Sequence, residues 1–253
     1  MELKKCFKNI SLGLALTIIG LILLPILSII GGVLIAISLY KLKKEDNNFG
    51  KGFILFIIFI LSTLAIIISS YFEPSFEIIT ATEEVDFTQF ESFLDIKDLL
   101  NPVPLEAYYS VYMNTAFTLV QSVSLVIGVY FISCGYIGYV KKYINVLEDE
   151  AKELQSKGKL INILYPFFST LSQLAVVSSY NVVNQIINSS TEAEMVSSLG
   201  STGLFIIVVS IAELVFFIWY LIRIGKVRAL ASKLSNIMPV VNTNNDDDII
   251  DIK

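Results

Sequence analysis

The chain has no histidine among its 253 residues. Imidazole acid–base chemistry, His-ligated zinc or haem and a Ser-His-Asp triad are therefore excluded. Cysteine is almost missing as well. Cys6 sits near the N-terminus and Cys134 within an apolar run, a spacing that makes neither a disulfide framework nor a CxxC site. Charge is scarce, at 16% of residues against about 25% in an average soluble domain. The net charge is −5 and no basic stripe is present, so the electrostatic footprint of a nucleic-acid binder is absent. Arginine is rare beside lysine and isoleucine is abundant, a bias that reads as an AT-rich, bacterial genome.

What fills the chain is apolar sequence. Apolar residues make up 55% of it and the mean hydropathy is +0.71. They are gathered into five uncharged segments, Ile10–Tyr40, Gly52–Tyr71, Ala116–Val140, Leu160–Tyr180 and Gly203–Ile222. The last four each match one crossing of a ~30 Å hydrocarbon core at about 1.5 Å per residue. The first is too long for one straight crossing. Lysines flank it on both sides (Lys4, Lys5 and Lys8 before it, Lys41, Lys43, Lys44 and Lys51 after it). Positive charge favours the cytoplasmic side, so this run is expected to enter and return as a short hairpin, broken at Pro25 or at Gly31-Gly32.

The remaining connections alternate in the same way. Residues 72–115 carry nine acidic side chains and a single lysine, Lys97, and 181–202 carry no lysine or arginine. Both read as external. Residues 141–159 and the stretch with Arg223, Lys226, Arg228 and Lys233 are basic and read as cytoplasmic. The expected fold is an all-α, polytopic membrane helix bundle of about six passes, with both termini in the cytoplasm of a bacterial plasma membrane. Its parts are a cytoplasmic N-terminus (1–9), the hairpin plus one helix (10–71), an external acidic loop (72–115), a three-helix region with a cytoplasmic helical loop (116–226, loop 141–159), and a cytoplasmic tail (227–253).

The polar pieces have their own patterns. Asp86–Leu100 places Phe87, Phe90, Phe93, Leu94 and Leu100 mostly on one side of a helix, which predicts an amphipathic helix resting on the outer bilayer surface or covering the mouth of the bundle. In 141–159, Tyr143, Ile144, Leu147, Ala151 and Leu154 recur at helical spacing, so the preceding helix is expected to continue and to fold on its own bundle until Lys157-Gly158. The end from Asn242 is acidic and aperiodic, and is expected to be disordered. Its Asp246–Asp248 run lacks the spacing and glycine of a calcium loop.

Glu213 is the most informative single residue, since it lies near the middle of the last segment with no basic residue in any crossing. A carboxyl group at that depth costs about 2.5–3.5 kcal/mol on insertion scales. Ser210, Phe217 and Tyr220 share its helix face. On the fourth segment Asn162, Ser169, Gln173 and Tyr180 form one stripe, with Gln173 at a depth suited to Glu213. Ser62 and Thr63 lie at comparable depth in the second segment, and toward the external side Thr118, Gln121 and Ser122 are expected to meet Ser178 and Ser179, outlining a polar passage from the external face to Glu213. Glu213, Gln173, Ser210, Gln121 and Ser62 are thus the candidate intramembrane polar site, read either as interhelical hydrogen bonds or as a proton or cation site in a transport path. Pro166 is expected to kink the fourth crossing. Ser124 and Gly128, with Gly135 and Gly138, predict close helix packing. Asn188-Ser189-Ser190 is a glycosylation sequon of little weight in a bacterial chain.

The run "LTIIGLILLPILSIIGGVLIAISLY", followed by "KLKK" and "GFILFIIFILSTLAIII", resembles small multi-pass membrane families of unknown function in bacteria and archaea. That resemblance spans about residues 10–71 and implies an integral membrane protein with no activity or site residue attached. The expected role is a non-enzymatic membrane scaffold, assembly or envelope protein, with a small-solute, proton or cation transporter through Glu213 and Gln173 as the alternative. A membrane enzyme ranks third, because Glu73, Glu77 and Glu106 form no recognisable constellation. No cofactor and no metal are expected. The expected partners are the lipid bilayer and either another membrane protein or further copies of the chain.

Overall fold

The structure, a computed structural model, describes residues 2–72, 97, 100–144, 147–156 and 160–237. It is 91% helical and contains no strand among these residues, in keeping with an all-α chain. The helices are α1 (Glu2–Ile22), α2 (Pro25–Leu42), α3 (Asn47–Ser70), α4 (Leu105–Tyr143), α5 (Glu148–Ser156), α6 (Ile161–Asn188) and α7 (Glu192–Ile237). All except the short α5 are long and apolar enough to cross a membrane, six in total. The amphipathic helix expected over 86–100 falls almost wholly outside the described residues. So do Lys157-Gly158, Glu73, Glu77 and the tail from Asn242.

Two compact units divide the chain. One comprises Met1–Ile57, Gly128–Ser156 and Arg223–Lys253, and the other Ile58–Ile127 and Lys157–Ile222.

In the first unit, α1 and α2 run antiparallel. The turn falls at Leu23-Leu24, and Pro25 takes the first position of α2, where its missing N–H forfeits no helical bond. Gly31-Gly32 lies inside α2, not at the turn. It serves close approach instead: a Cβ on Gly31 would come within 2.5 Å of the Gly13 carbonyl oxygen. Gly20 is similarly closed by the backbone of Ser28.

α3 then passes antiparallel over a glycine face of α4. Phe49 lies over Gly135 and Phe56 over Gly128, two rings and two gaps each seven residues apart. Asp46 accepts a hydrogen bond from the Asn48 N–H at 2.7 Å at the start of α3, and its carboxylate rests against Gly138. The small residues of α4 therefore work as packing surfaces, and Phe7, Phe49 and Tyr136 meet there as a fully buried aromatic cluster.

The basic connection after α4 departs from its expected course. α4 stops at Tyr143, whose hydroxyl donates to Glu45 Oε2 at 2.8 Å. A separate helix, α5, starts at Glu148 with Glu148, Asp149 and Glu150 in its first turn, where acidic groups complement the helix dipole. Leu147, Ala151 and Leu154 are buried. Gln155 Nε2 donates to Tyr130 Oη at 3.4 Å and to Cys134 Sγ at 3.2 Å, so α5 folds back along α4. The periodicity of 141–159 is helical, but a break between α4 and α5 replaces the continuous extension.

In the second unit, α6 runs through Pro166 without interruption and on to Asn188, well beyond the Tyr180 limit of its apolar segment. It packs antiparallel on α7. Tyr165 stacks on Tyr220 with centroids 4.8 Å apart, and Phe168 on Phe216 at the same distance. Val182 and Ile186 of α6 meet Met195 of α7 at the other end, with Leu100 packed against them.

Candidate functional site

All five candidate residues belong to the second unit. Ser62 is on α3, Gln121 on α4, Gln173 on α6, and Ser210 and Glu213 on α7.

The α3–α4 part is bonded up. Gln121 Nε2 donates to Thr63 Oγ1 at 2.8 Å. Thr63 Oγ1 donates to the Phe59 carbonyl at 2.7 Å, and Ser62 Oγ reaches the Ile58 and Phe59 carbonyls at 2.9 and 3.0 Å. Ser62 and Thr63 are buried. Ser122 and Ser179 donate to Leu119 and Val176 of their own helices. Among the described residues no hydrogen bond links Gln121 or Ser122 to Ser178 or Ser179.

The α6–α7 part is arranged differently. Phe217 and Tyr220, which share a helix face with Glu213, both lie against Tyr165. Glu213 itself is half-buried on the edge of that seam. Phe168 against Phe216 and Tyr165 against Phe217 set an antiparallel register that places residues 169–172 opposite Glu213. Gln173 is one position further along and also half-buried. No hydrogen bond joins it to Glu213 among the described residues. Ser210 is exposed. The structure thus joins Gln121 to Thr63, and among the described residues Gln173, Ser210 and Glu213, on two neighbouring helices, make no hydrogen bond.

No family model, curated protein or solved structure matches the chain.

A second polar site escaped the sequence reading. A cleft of about 440 Å³ is lined by Asn181, Asn184, Gln185, Asn188, Ser189, Glu194 and Ser198. Its base is fixed by Asn184, whose amide donates to Tyr108 Oη at 3.0 Å while its carbonyl oxygen accepts the Val103 N–H at 3.0 Å. Glu194 closes the start of α7, accepting from the Ser190 N–H at 3.0 Å, while its own N–H donates to Thr191 Oγ1 at 3.3 Å. This is a close variant of the capping box. The sequence carries the signal, since Asn181, Asn184, Gln185 and Asn188 recur at helical spacing, within the connection 181–202. Among the described residues no group of three or more cysteine or carboxylate side chains could hold a metal ion.

Proposed function

We propose that this chain is a multi-pass integral membrane protein with a non-enzymatic, scaffolding role in the membrane or envelope, acting by lateral association. Six helices of crossing length, with lysine-rich connections at alternate ends, support six passes and cytoplasmic termini in a bacterial plasma membrane. α1 and α2 form the N-terminal hairpin of this topology, as in the multi-pass families that residues 10–71 resemble.

One observation carries the scaffolding reading. The apolar window of α7 is 11% buried inside the fold, against 33–44% for the other five crossing helices. A helix so little used for internal packing offers its surface to neighbours in the bilayer. The Gln121–Thr63 hydrogen bond supports the same view, since it joins α4 to α3, while Ser62 bonds within α3.

Transport is the second reading, and Glu213 favours it. An intramembrane carboxyl group that makes no hydrogen bond among the described residues is a functional-site hypothesis in its own right. Flux across liposomes separates the two. Vesicles carrying the reconstituted protein, loaded with a pH-sensitive or cation-sensitive dye, should leak no faster than empty vesicles, and Glu213→Gln should leave the trace unchanged. Flux that appears with the native chain and vanishes in Glu213→Gln would replace the scaffold with a transporter.

A further inference from the structure

We infer that α7 is the surface through which two copies of this chain pair side by side, each copy's Ser210 hydroxyl donating to the Glu213 carboxyl group of the other. The inference rests on the membrane reading of the six helices and is independent of whether the chain also moves a solute.

α7 presents two adjacent seams. Residues 209, 213, 216 and 220 follow a 4-3-4 spacing, and this seam is occupied: Val209 and Tyr220 are buried, and Phe216 stacks on Phe168 of α6. The second seam, Gly203, Ile207, Ser210, Leu214, Phe217 and Leu221, recurs at alternating spacings of four and three. That spacing is what two parallel helices need to pack along a left-handed crossing. Its middle is open. Ile207 and Leu214 are each 57% exposed, Ser210 is exposed, and a Cβ placed on Gly203 would meet nothing within 4 Å. Glu213 sits where the two seams adjoin.

Lipid satisfies the apolar members of the open seam but not the polar ones. Ser210 and Glu213 make no hydrogen bond to the described residues of their own chain, and both lie near the middle of the apolar run Gly203–Ile222. An exposed hydroxyl and a half-buried carboxyl group that lack a hydrogen bond at this depth are costly. The favoured occupant is therefore a helix that brings a donor and an acceptor at the same height.

A second copy does this by symmetry. A two-fold axis normal to the bilayer sets equal heights side by side, and its interface uses the same patch twice. Ser210 and Glu213 are three residues apart, about 4.5 Å along the axis, within the span of a glutamate side chain. One copy supplies a hydroxyl donor and a carboxyl acceptor, and the other supplies the same pair in return. Gly203, one heptad before Ser210, allows the backbones to approach.

The test is disulfide trapping in native membranes, with single cysteines in a chain lacking Cys6 and Cys134, together with dimer affinity in lipid. Ile207→Cys and Leu214→Cys should cross-link on oxidation to a species of twice the chain mass. Val208→Cys, on the opposite side of α7, should not. Ser210→Ala and Glu213→Leu should each weaken the dimer about tenfold, the scale of losing two interhelical hydrogen bonds, whereas Glu213→Gln should retain it. Equal trapping at Val208 and Leu214, trapping only to a chain of different mass, or a monomer throughout would each overturn the proposal. The trapping pattern reads the wild-type seam, so a misfolded Glu213→Leu protein does not rescue it. Failure of the membrane reading would appear separately, as aqueous labelling along the whole of α7.

Discussion

Gln121 of α4 donates its side-chain amide to Thr63 Oγ1 of α3 at 2.8 Å, and Thr63 passes its own proton to the Phe59 carbonyl at 2.7 Å. The Gln121 amide is thereby held by a neighbour that cannot turn away without losing a bond of its own. In a double-mutant cycle of Gln121→Leu and Thr63→Val, unfolding measured in detergent should give a favourable coupling of about 0.6 kcal/mol and no more than about 1.7 kcal/mol. A coupling of zero would mean that the two side chains do not hold α3 to α4.

Close helix approach makes a second prediction. Gly31→Ala places a Cβ against the Gly13 carbonyl oxygen, a backbone atom that cannot swing aside. The substitution should cost about 1–3 kcal/mol. Gly200→Ala meets nothing within 4 Å on α7 and should be neutral or gain up to about 1 kcal/mol through helix propensity. Thermal unfolding of the two variants in the same detergent compares them directly, and equal melting temperatures would contradict the α1–α2 packing.

Asn184 holds the base of the polar cleft through the Val103 N–H and Tyr108 Oη. Asn184→Leu would leave the backbone N–H of Val103, a buried residue, without its acceptor. The expected loss is about 1–3 kcal/mol, with faster amide hydrogen exchange than in the native chain at Val103 and in the first turn of α4. Unchanged exchange there would show that another group takes the bond.

The pH response of α5 follows from Glu148. A hydrogen bond from Lys152 at 2.7 Å, together with the charges of Lys152 and Lys141, holds its carboxyl below the ordinary glutamate range. A lowered folded-state pKa contributes stability above the unfolded value and loses it as pH falls through the folded value. The α5 helix and its Lys141 contact with α4 should therefore weaken on acidification below about pH 4, the ordinary carboxylate range, and high salt should reduce the effect. Lys152→Ala should raise the Glu148 titration midpoint seen by carboxyl NMR. An unmoved midpoint would remove Lys152 as the cause.

The sequence placed the crossing helices because hydropathy is a property of the run itself. α1, α2, α3, α4, α6 and α7 each overlap an uncharged segment. It also marked Gly128, Gly135 and Gly138 as packing residues, since small side chains at helical spacing have little other use. It did not reveal that Phe56 and Phe49 fill the gaps at Gly128 and Gly135, because that depends on the register between α3 and α4. The return of α5 along α4 was hidden for a related reason: helical periodicity is the same whichever way a following helix runs. At the candidate site, residue type and depth singled out Ser62 and Gln121, but their bonding to backbone and to Thr63 is a matter of neighbours. The amides of α6 beyond Tyr180 were missed because polar residues past an apolar run read as a loop, although the helix continues.

Cysteine labelling tests the six-pass account most directly. In a chain lacking Cys6 and Cys134, a membrane-impermeant maleimide added to intact cells should label Gln185→Cys and should reach Lys44→Cys only after permeabilisation. Labelling of Lys44→Cys from outside would contradict the N-terminal hairpin and the topology built on it.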